Sequence, residues 1–445
     1  MTYHILIDGT KLLDPKTDGI KRYVLELLRA MSLHAGPQWN IDVALSPGHT
    51  MPLNLIGDML DYRQPFHVSG LPSLLSPYQD NPLLACKTRL EERQERDILS
   101  ASFDVTKLQA MRFARSCLRR WFELKAITSG GKENQYDLFH LTLPNTWKKF
   151  ARRRTQFVTT VHDLSHFVCP QFQNRSNVES LQQGLDFTQS IRSKYLSVSH
   201  STAKQLEQLM HIDPAQIHVV HEGVDLERFR PKPAAAAIQK VRDRYGLPTT
   251  PFLFSLGTME PRKNLLNTVR AFDQLVKDPD LRNAELVIAG RRGWGEQQEL
   301  ERIVNSCPQI RTIGYVEETD LPTLYAACDG FCYLSHYEGF GLPIAEAMSC
   351  GAAVIYGDNS SQPEVAGDGG IGVDSYDIPA IVAAMRNLLT DSKLRTDLSR
   401  RAIRRAHELT WQTTAEKTLQ VYQRCLTQTI ENPSVNVESL VAKAA

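Results

Sequence analysis

The chain has 445 residues, 42% of them hydrophobic and 23% charged, with a formal net charge of +1. This length supports two domains with full cores, and the composition is that of a soluble globular protein. The near-neutral balance excludes a partner recruited by overall charge, whether nucleic acid or membrane, so any such preference has to come from a local patch.

The chain opens with Met1-Thr2-Tyr3-His4 and runs directly into apolar residues. It lacks the charged start and long apolar stretch of a signal peptide, and no segment approaches the ~18 uninterrupted apolar residues of a membrane span. The eight cysteines (Cys86, Cys117, Cys169, Cys307, Cys328, Cys332, Cys350 and Cys425) form no Cys-x-x-Cys pair. They read as small buried hydrophobes in a reducing compartment, so the expected location is the cytoplasm.

In chain order, Ile5–Gly9 is a short apolar run ending in a turn signal. A polar loop then leads to Gly19, and Ile20, Tyr23, Val24, Leu27, Leu28 and Met31 follow at helical spacing. Further strands are expected at 41–45, 138–141, 157–161, 195–198 and 217–220, with a helix over 201–210. Residues 70–135 break the alternation and are expected to be a helical insertion. Near 228–248 the composition shifts: Pro231, Pro233 and four alanines from Ala234 predict a hinge and a short helix. A second series of strands is expected at 252–256, 285–289, 311–314, 330–334 and 353–356, closed by a helix over 413–429. Strands alternating with helices predict parallel sheets covered on both faces, here as two Rossmann-like doubly wound α/β domains facing across a cleft. The boundaries read as 1–223 for an acceptor-side domain and 224–412 for a donor-binding domain. A C-terminal helix over 413–430 is expected to return to the first domain, with a disordered tail over 431–445. Ligands of such sheets bind beyond the carboxyl ends of the strands.

The most informative segment is Ser335-His336-Tyr337-Glu338-Gly339-Phe340-Gly341-Leu342-Pro343-Ile344-Ala345-Glu346. It joins a strand to a helix. Pro343 suits a first helical turn, the glycines let the backbone approach a ligand, and the helix start is an anion site. Glu338 and Glu346 flank that site and could reach hydroxyls on either side of a bound diphosphate. A dinucleotide fingerprint competes, since Gly339-Phe340-Gly341 is a Gly-x-Gly with Asp358 about 20 residues on, although Ile344 stands where a third small residue belongs. A purely structural loop is the remaining alternative. In Gly257-Thr258-Met259-Glu260-Pro261-Arg262-Lys263-Asn264, two adjacent cations at a strand end suit phosphate charge; elsewhere such a pair would be an ordinary solvated one.

Together these segments resemble glycosyltransferase family 4, retaining transferases of the GT-B fold, and within it the mannosyltransferase-like branch. Further matching motifs are Gly19-Ile20-Lys21-Arg22-Tyr23, Val161-His162-Asp163-Leu164-Ser165, Ser197-Val198-Ser199-His200-Ser201, Glu222-Gly223-Val224-Asp225, Leu286-Val287-Ile288-Ala289-Gly290 and Ser361-Gln362-Pro363-Glu364-Val365. The likeness covers residues 1–430 except 70–135. It implies that Glu346 binds the nucleotide ribose and that Glu338 contacts the transferred sugar. The backbone of Gly339, Phe340, Gly341 and Leu342 would hold sugar and phosphate, and Lys263 the diphosphate. Gly19 would let the first domain approach the donor phosphate, and His162 would touch the donor sugar. Many members carry an arginine where this chain has Thr258, and Arg262 is the residue that could compensate. Asp163 reads equally as a site residue and as a turn cap.

The implied reaction is front-face transfer of a hexose, with mannose from GDP-mannose as the expected donor, to a glycan or lipid-linked acceptor. Glucosyl or N-acetylglucosaminyl transfer is the near alternative; an epimerase or a non-catalytic sugar-nucleotide-binding subunit is a more distant one. No metal and no cofactor is expected, and Asp278-Pro279-Asp280 reads as a surface turn. The stretch Lys107–Lys125 carries six cations against Glu123 with interleaved aromatic residues, and Lys148–Arg154 is a second basic patch. They read either as a solvated helix face or as a docking face for anionic membrane, with no nucleic-acid module present.

Overall fold

A computed structural model describes residues 2–13, 18–46, 49–53, 136–146, 155–172, 175–293 and 297–431. The insertion expected over 70–135, both basic stretches and the polar tail after 431 lie outside the described residues. Among the described residues no helix is long and apolar enough to cross a membrane.

Thirteen strands are described. They are β1 (Tyr3–Asp8), β2 (Trp39–Ser46), β3 (His49–Pro52), β4 (Leu138–Leu141), β5 (Gln156–Val161), β6 (Lys194–Ser197), β7 (Ile217–Val219), β8 (Phe252–Leu256), β9 (Glu285–Ala289), β10 (Ile310–Gly314), β11 (Gly330–Tyr333), β12 (Val354–Gly357) and β13 (Gly370–Val373). They build two sheets, in the orders β3-β2-β1-β4-β5-β6-β7 and β10-β9-β8-β11-β12-β13. The pairings β1·β2, β1·β4, β4·β5 and β6·β7 are parallel, as are those from β8 to β13, and β3 runs antiparallel against β2. Two strands escape the sequence reading. β3 is a short edge hairpin partner. β13 has only Gly-Ile-Gly-Val, and its glycines sit against the Tyr356 ring, where a Cβ would come within about 3 Å.

The chain forms two compact units: Met1–Thr160 with Gly184–Lys194 and Thr418–Ala445, and Val161–Gln183 with Tyr195–Lys417. In the first, Leu6, Phe139, Leu141, Phe157, Phe187 and Ile191 make an apolar cluster. Hydrogen bonds there satisfy Asp8 and His140. Asp8, at the end of β1, accepts from the Thr10 amide and hydroxyl and from Asn145 Nδ2 at 2.7–3.0 Å. His140 bridges Thr160 (2.8 Å) and the Tyr422 hydroxyl (2.6 Å), which ties the middle of the helix Trp411–Glu431 by a buried hydrogen bond.

In the second unit the core is the cluster around Leu253, Phe272, Leu286, Ile288, Ile355 and Leu388. The helix Leu265–Leu275 shows how sequence becomes packing. Leu265, Thr268, Val269, Ala271, Phe272 and Leu275 recur at helical spacing and are all buried, each large side chain contributing about 1.5–3 kcal/mol. Asp278-Pro279-Asp280 is the expected turn: Asp278 Oδ1 accepts from the Asp280 amide at 3.0 Å. The described cysteines are all free, and five of the six are buried. Burial pushes the Cys169 and Cys425 thiols up to about 11 and Cys332 to about 12, as expected of packing residues.

One close approach governs the second sheet. A Cβ on Gly290 would lie 1.9 Å from the Gly257 carbonyl oxygen, and Gly290 has φ +143. Gly290→Ala is therefore expected to lower unfolding free energy by roughly 2–4 kcal/mol through overlap and left-handed strain combined. Gly246, also left-handed at φ +61 but with open space around its Cβ direction, is expected to cost about 1 kcal/mol as alanine. Urea unfolding of both variants checks the ranking; equal costs would remove the packing argument.

Candidate functional site

The strand order places the site. β8 continues to β9 and β10 on one side, while β11, β12 and β13 lie on the other. The reversal between β8 and β11 opens a crevice at their carboxyl ends, the usual ligand position in such sheets. The loops leaving these two strands, 257–264 and 334–341, are the two segments singled out by sequence.

Backbone and side-chain bonds join them. The His336 amide donates to the Arg262 carbonyl at 2.9 Å. Arg262 Nη1 donates to the Tyr337 carbonyl at 2.9 Å. Asn264, left-handed at φ 52, donates from Nδ2 to the carbonyls of Leu334 (3.0 Å) and Ser375 (2.8 Å). Gly341 caps the helix Leu342–Ser349 at φ 106, a conformation that calls for glycine. Gly339 answers to a different constraint. A Cβ there would meet the His162 carbonyl oxygen at 1.8 Å, so the residue lets two loops touch. Tyr337 strengthens that contact: its hydroxyl accepts from the Leu164 amide (3.1 Å) and donates to Gln205 Oε1 (2.6 Å).

At the centre is a buried ion cluster. Glu338 Oε1 lies 2.6 Å from Lys263 Nζ, and Glu338 Oε2 lies 2.9 Å from Arg262 Nη1. Arg262 Nη2 also meets Glu260 at 2.8 Å. The Tyr333 hydroxyl accepts from Lys263 (2.7 Å) and donates to Glu338 (3.0 Å). The Glu338 amide donates to Ser360 Oγ (3.0 Å), and the Ser361 hydroxyl reaches the carbonyls of Glu338 and Phe340 at 3.0 and 2.7 Å. Glu338 is only 8% exposed. Burial alone would raise its pKa, but Arg262 and Lys263 outweigh that and hold the carboxyl down at about 2. Burial pulls the Lys263 ammonium below its ordinary range against the support of Glu338. Burial likewise opposes the Arg262 charge, and Glu338 with Glu260 keep its pKa above the ordinary value.

Glu346 sits one turn into the helix Leu342–Ser349, 2% exposed, and accepts from the Tyr325 hydroxyl at 3.1 Å. Phe340 is buried with its ring 6.0 Å from the His221 ring, and its carbonyl accepts from the Ser361 hydroxyl. Leu342 is the first residue of the helix. Thr258 is exposed in the loop after β8, where Gly257 and Met259 bond to the carbonyls of Ala289 and Arg291 at 3.0 Å. His162 follows β5, and its Nδ1 lies 3.1 Å from Glu222 Oε1. This contact fixes the orientation of the His162 ring beside the Glu222 carboxyl. Asp163 caps a turn, accepting from the Ser165 amide (3.0 Å) and hydroxyl (2.7 Å). Gly19 belongs to the other unit, at the start of the helix Gly19–His34, with no atom within 4 Å of its Cβ direction.

So Glu338, Lys263, Arg262 and Gly339–Leu342 come together, and Glu346 lies on the same helix. Tyr333 and Ser360 are not singled out by the sequence, while Glu222 and Ser361 fall within matching motifs that assign them no role. Tyr333 reads as an ordinary apolar strand residue, and nothing local marks Glu222 as a partner of His162. Among the described residues, one group has metal-ligand spacing: His200, His221 and Glu364.

The buried cluster gives a pH-dependent expectation. Glu338 has a lowered folded pKa, so its contribution is complete above the ordinary 4.5 and lost as pH falls toward about 2. Glu338→Gln, which strands Lys263 and Arg262 beside a neutral amide, is expected to cost about 3 kcal/mol at pH 7. Urea unfolding should show that gap constant from pH 7 to about 4.5 and shrinking below it, as the wild-type carboxyl takes up its proton. A gap that does not change with pH would mean the charge on Glu338 is not what stabilises the cluster.

The chain is similar to known proteins. Residues 83–228 match the family described as Glycosyltransferase Family 4, and residues 238–405 match Glycosyl transferases group 1. The O-antigen chain mannosyltransferase B of Escherichia coli is 34% identical over 274 residues, covering 61% of this chain and 71% of that protein. The serotype-specific mannosyltransferase WbdA of Escherichia coli is 30% identical over 253 residues, 55% of this chain and 30% of its own length. Anabaena Alr3699/HepE, solved in complex with UDP-glucose, superposes with a TM-score of 0.62 at 15% identity, covering 95% of this chain and 99% of that one. That last likeness speaks to the fold, which is GT-B. With its site motifs assembled at the β8/β11 switch point, the chain belongs to glycosyltransferase family 4, in the mannosyltransferase-like branch.

Proposed function

We propose that the protein is a retaining mannosyltransferase that moves mannose from GDP-mannose to a glycan or lipid-linked acceptor during polysaccharide or glycolipid assembly. The observation that carries this reading is the buried Glu338–Lys263–Arg262 cluster at the switch point, with Glu346 on the adjoining helix. The mannosyltransferase names of the relatives at 30–34% identity support the choice of sugar, and the O-antigen relative supports a polysaccharide product.

In this reading the donor diphosphate binds over the start of the helix Leu342–Ser349, where the turn from Gly339 to Leu342 and the helix dipole favour an anion. Lys263 moves from Glu338 to the phosphate, and Glu338 turns to the hydroxyls of the mannosyl group. Arg262 stays with Glu260 and keeps the pocket positive. Glu346 takes the ribose hydroxyls, and the Nε2 of His162, set by Glu222, meets the sugar. The diphosphate leaves and takes the acceptor proton on the same face, so the anomeric configuration is retained. The chain contributes positioning and charge stabilisation of the leaving group.

Two predictions follow from those roles. With purified protein in excess EDTA, mannose should pass from GDP-mannose to a lipid-linked saccharide, with an α-linked product by NMR. UDP-glucose and UDP-N-acetylglucosamine serve as competing donors; turnover on one of them instead would change the sugar, and turnover restored only by Mg²⁺ or Mn²⁺ would remove the metal-free mechanism. Separately, Glu346→Ala should weaken calorimetric GDP affinity by about 1–3 kcal/mol and raise KM. Glu338→Gln, assayed below its melting temperature, should leave GDP affinity nearly unchanged and mainly lower kcat. The reverse pattern would invert the donor along the loop.

A further inference from the structure

His200, His221 and Glu364 come from three separate elements: the start of the helix His200–Met210, the segment just after β7, and the helix Gln362–Ala366. One ligand-type atom from each lies within 4.8 Å of the others. His221 Nε2 is 2.5 Å from Glu364 Oε1. The His200 and His221 rings sit 5.8 Å apart, nearly perpendicular. Glu364 is held in place by the amides of His200 (2.9 and 3.0 Å) and Ser201 (3.4 Å).

Capping the helix explains why Glu364 meets the two amides. It does not explain why two imidazoles from different elements converge on the same carboxylate. The His221 and Glu364 side chains are 22% and 18% exposed, and His200 is exposed, so an ion can enter from solvent. We propose that these three residues form a binding site for a divalent transition metal of the zinc class, separate from the donor loop chemistry. Two imidazoles and one carboxylate suit that class, and a water completes a tetrahedron. Bonds of about 2.0–2.2 Å place ligand atoms roughly 3.4 Å apart, so the ion enters by side-chain rotation that opens the Glu364–His221 contact. The bound ion crosslinks the three elements. Because Ser361 and Phe340 adjoin Glu364 and His221, the crosslink braces the donor loop from behind.

The test uses the full chain stripped with EDTA and then desalted. Zn²⁺ is titrated against a chromophoric chelator, and melting temperature is read in parallel. The wild type is expected to bind one ion per chain outside the basal background and to melt at a higher temperature when loaded. His200→Ala keeps the backbone amides on Glu364, so it leaves the cap intact; it should bind that ion at least ten-fold more weakly and lose the melting shift. His221→Gln should do the same. Sugar transfer by the EDTA-treated His200→Ala protein should match the wild type, which separates this site from the proposed reaction. No Zn²⁺ binding by the wild type, or equal binding and melting shift in both variants, overturns the proposal.

Discussion

The structure of the site depends on one constraint: a carboxylate buried between two cations. Glu338 is 8% exposed and would be costly to ionise alone. Arg262 and Lys263, each within hydrogen-bond distance, make its charge tolerable, and Glu338 in turn makes theirs tolerable. Tyr333 and Glu260 complete the set, so two cations face two carboxylates. Such a cluster holds its loops in one arrangement, since removing Glu338, Arg262 or Lys263 leaves an uncompensated buried charge.

A cluster of this kind requires loops that approach closely, and the glycines provide for that. Gly339 lies where any side chain would strike the His162 carbonyl, and Gly290 where it would strike Gly257. The first brings the His162 loop to the glutamate loop, and the second holds the loop after β8 beside the one after β9. Both glycines therefore serve backbone-to-backbone packing. The sequence reading assigned Gly339 to ligand approach, and the geometry adds a structural demand on the same residue. Gly341 differs, being set by its left-handed backbone at the start of a helix.

Much of the fold was legible because its elements carry strong local signals. Apolar runs such as Phe252–Leu256 and Glu285–Ala289 recur in the structure with the expected bounds. β13 was not legible, because Gly-Ile-Gly-Val shows neither alternation nor a long apolar run. The Glu338 and Lys263 segments were legible from residue types at loop positions. Tyr333 and Glu222 were not. Their roles arise from contacts across 70 and 60 residues of chain, which no local pattern records.

The sequence by itself determined the periodicities that make parallel sheets covered by helices, the family resemblance, and the loops that carry the chemistry. These are local properties, set by residue type and spacing. Only the tertiary structure decided that β11 pairs with β8 instead of β10, so that the loops of Lys263 and Glu338 share one crevice. Likewise it alone decided that His200, His221 and Glu364 converge. Both outcomes depend on strand order and on close approach between distant segments, where the energy lies in burying charge and apolar surface together, and that sum exists only once the chain has folded.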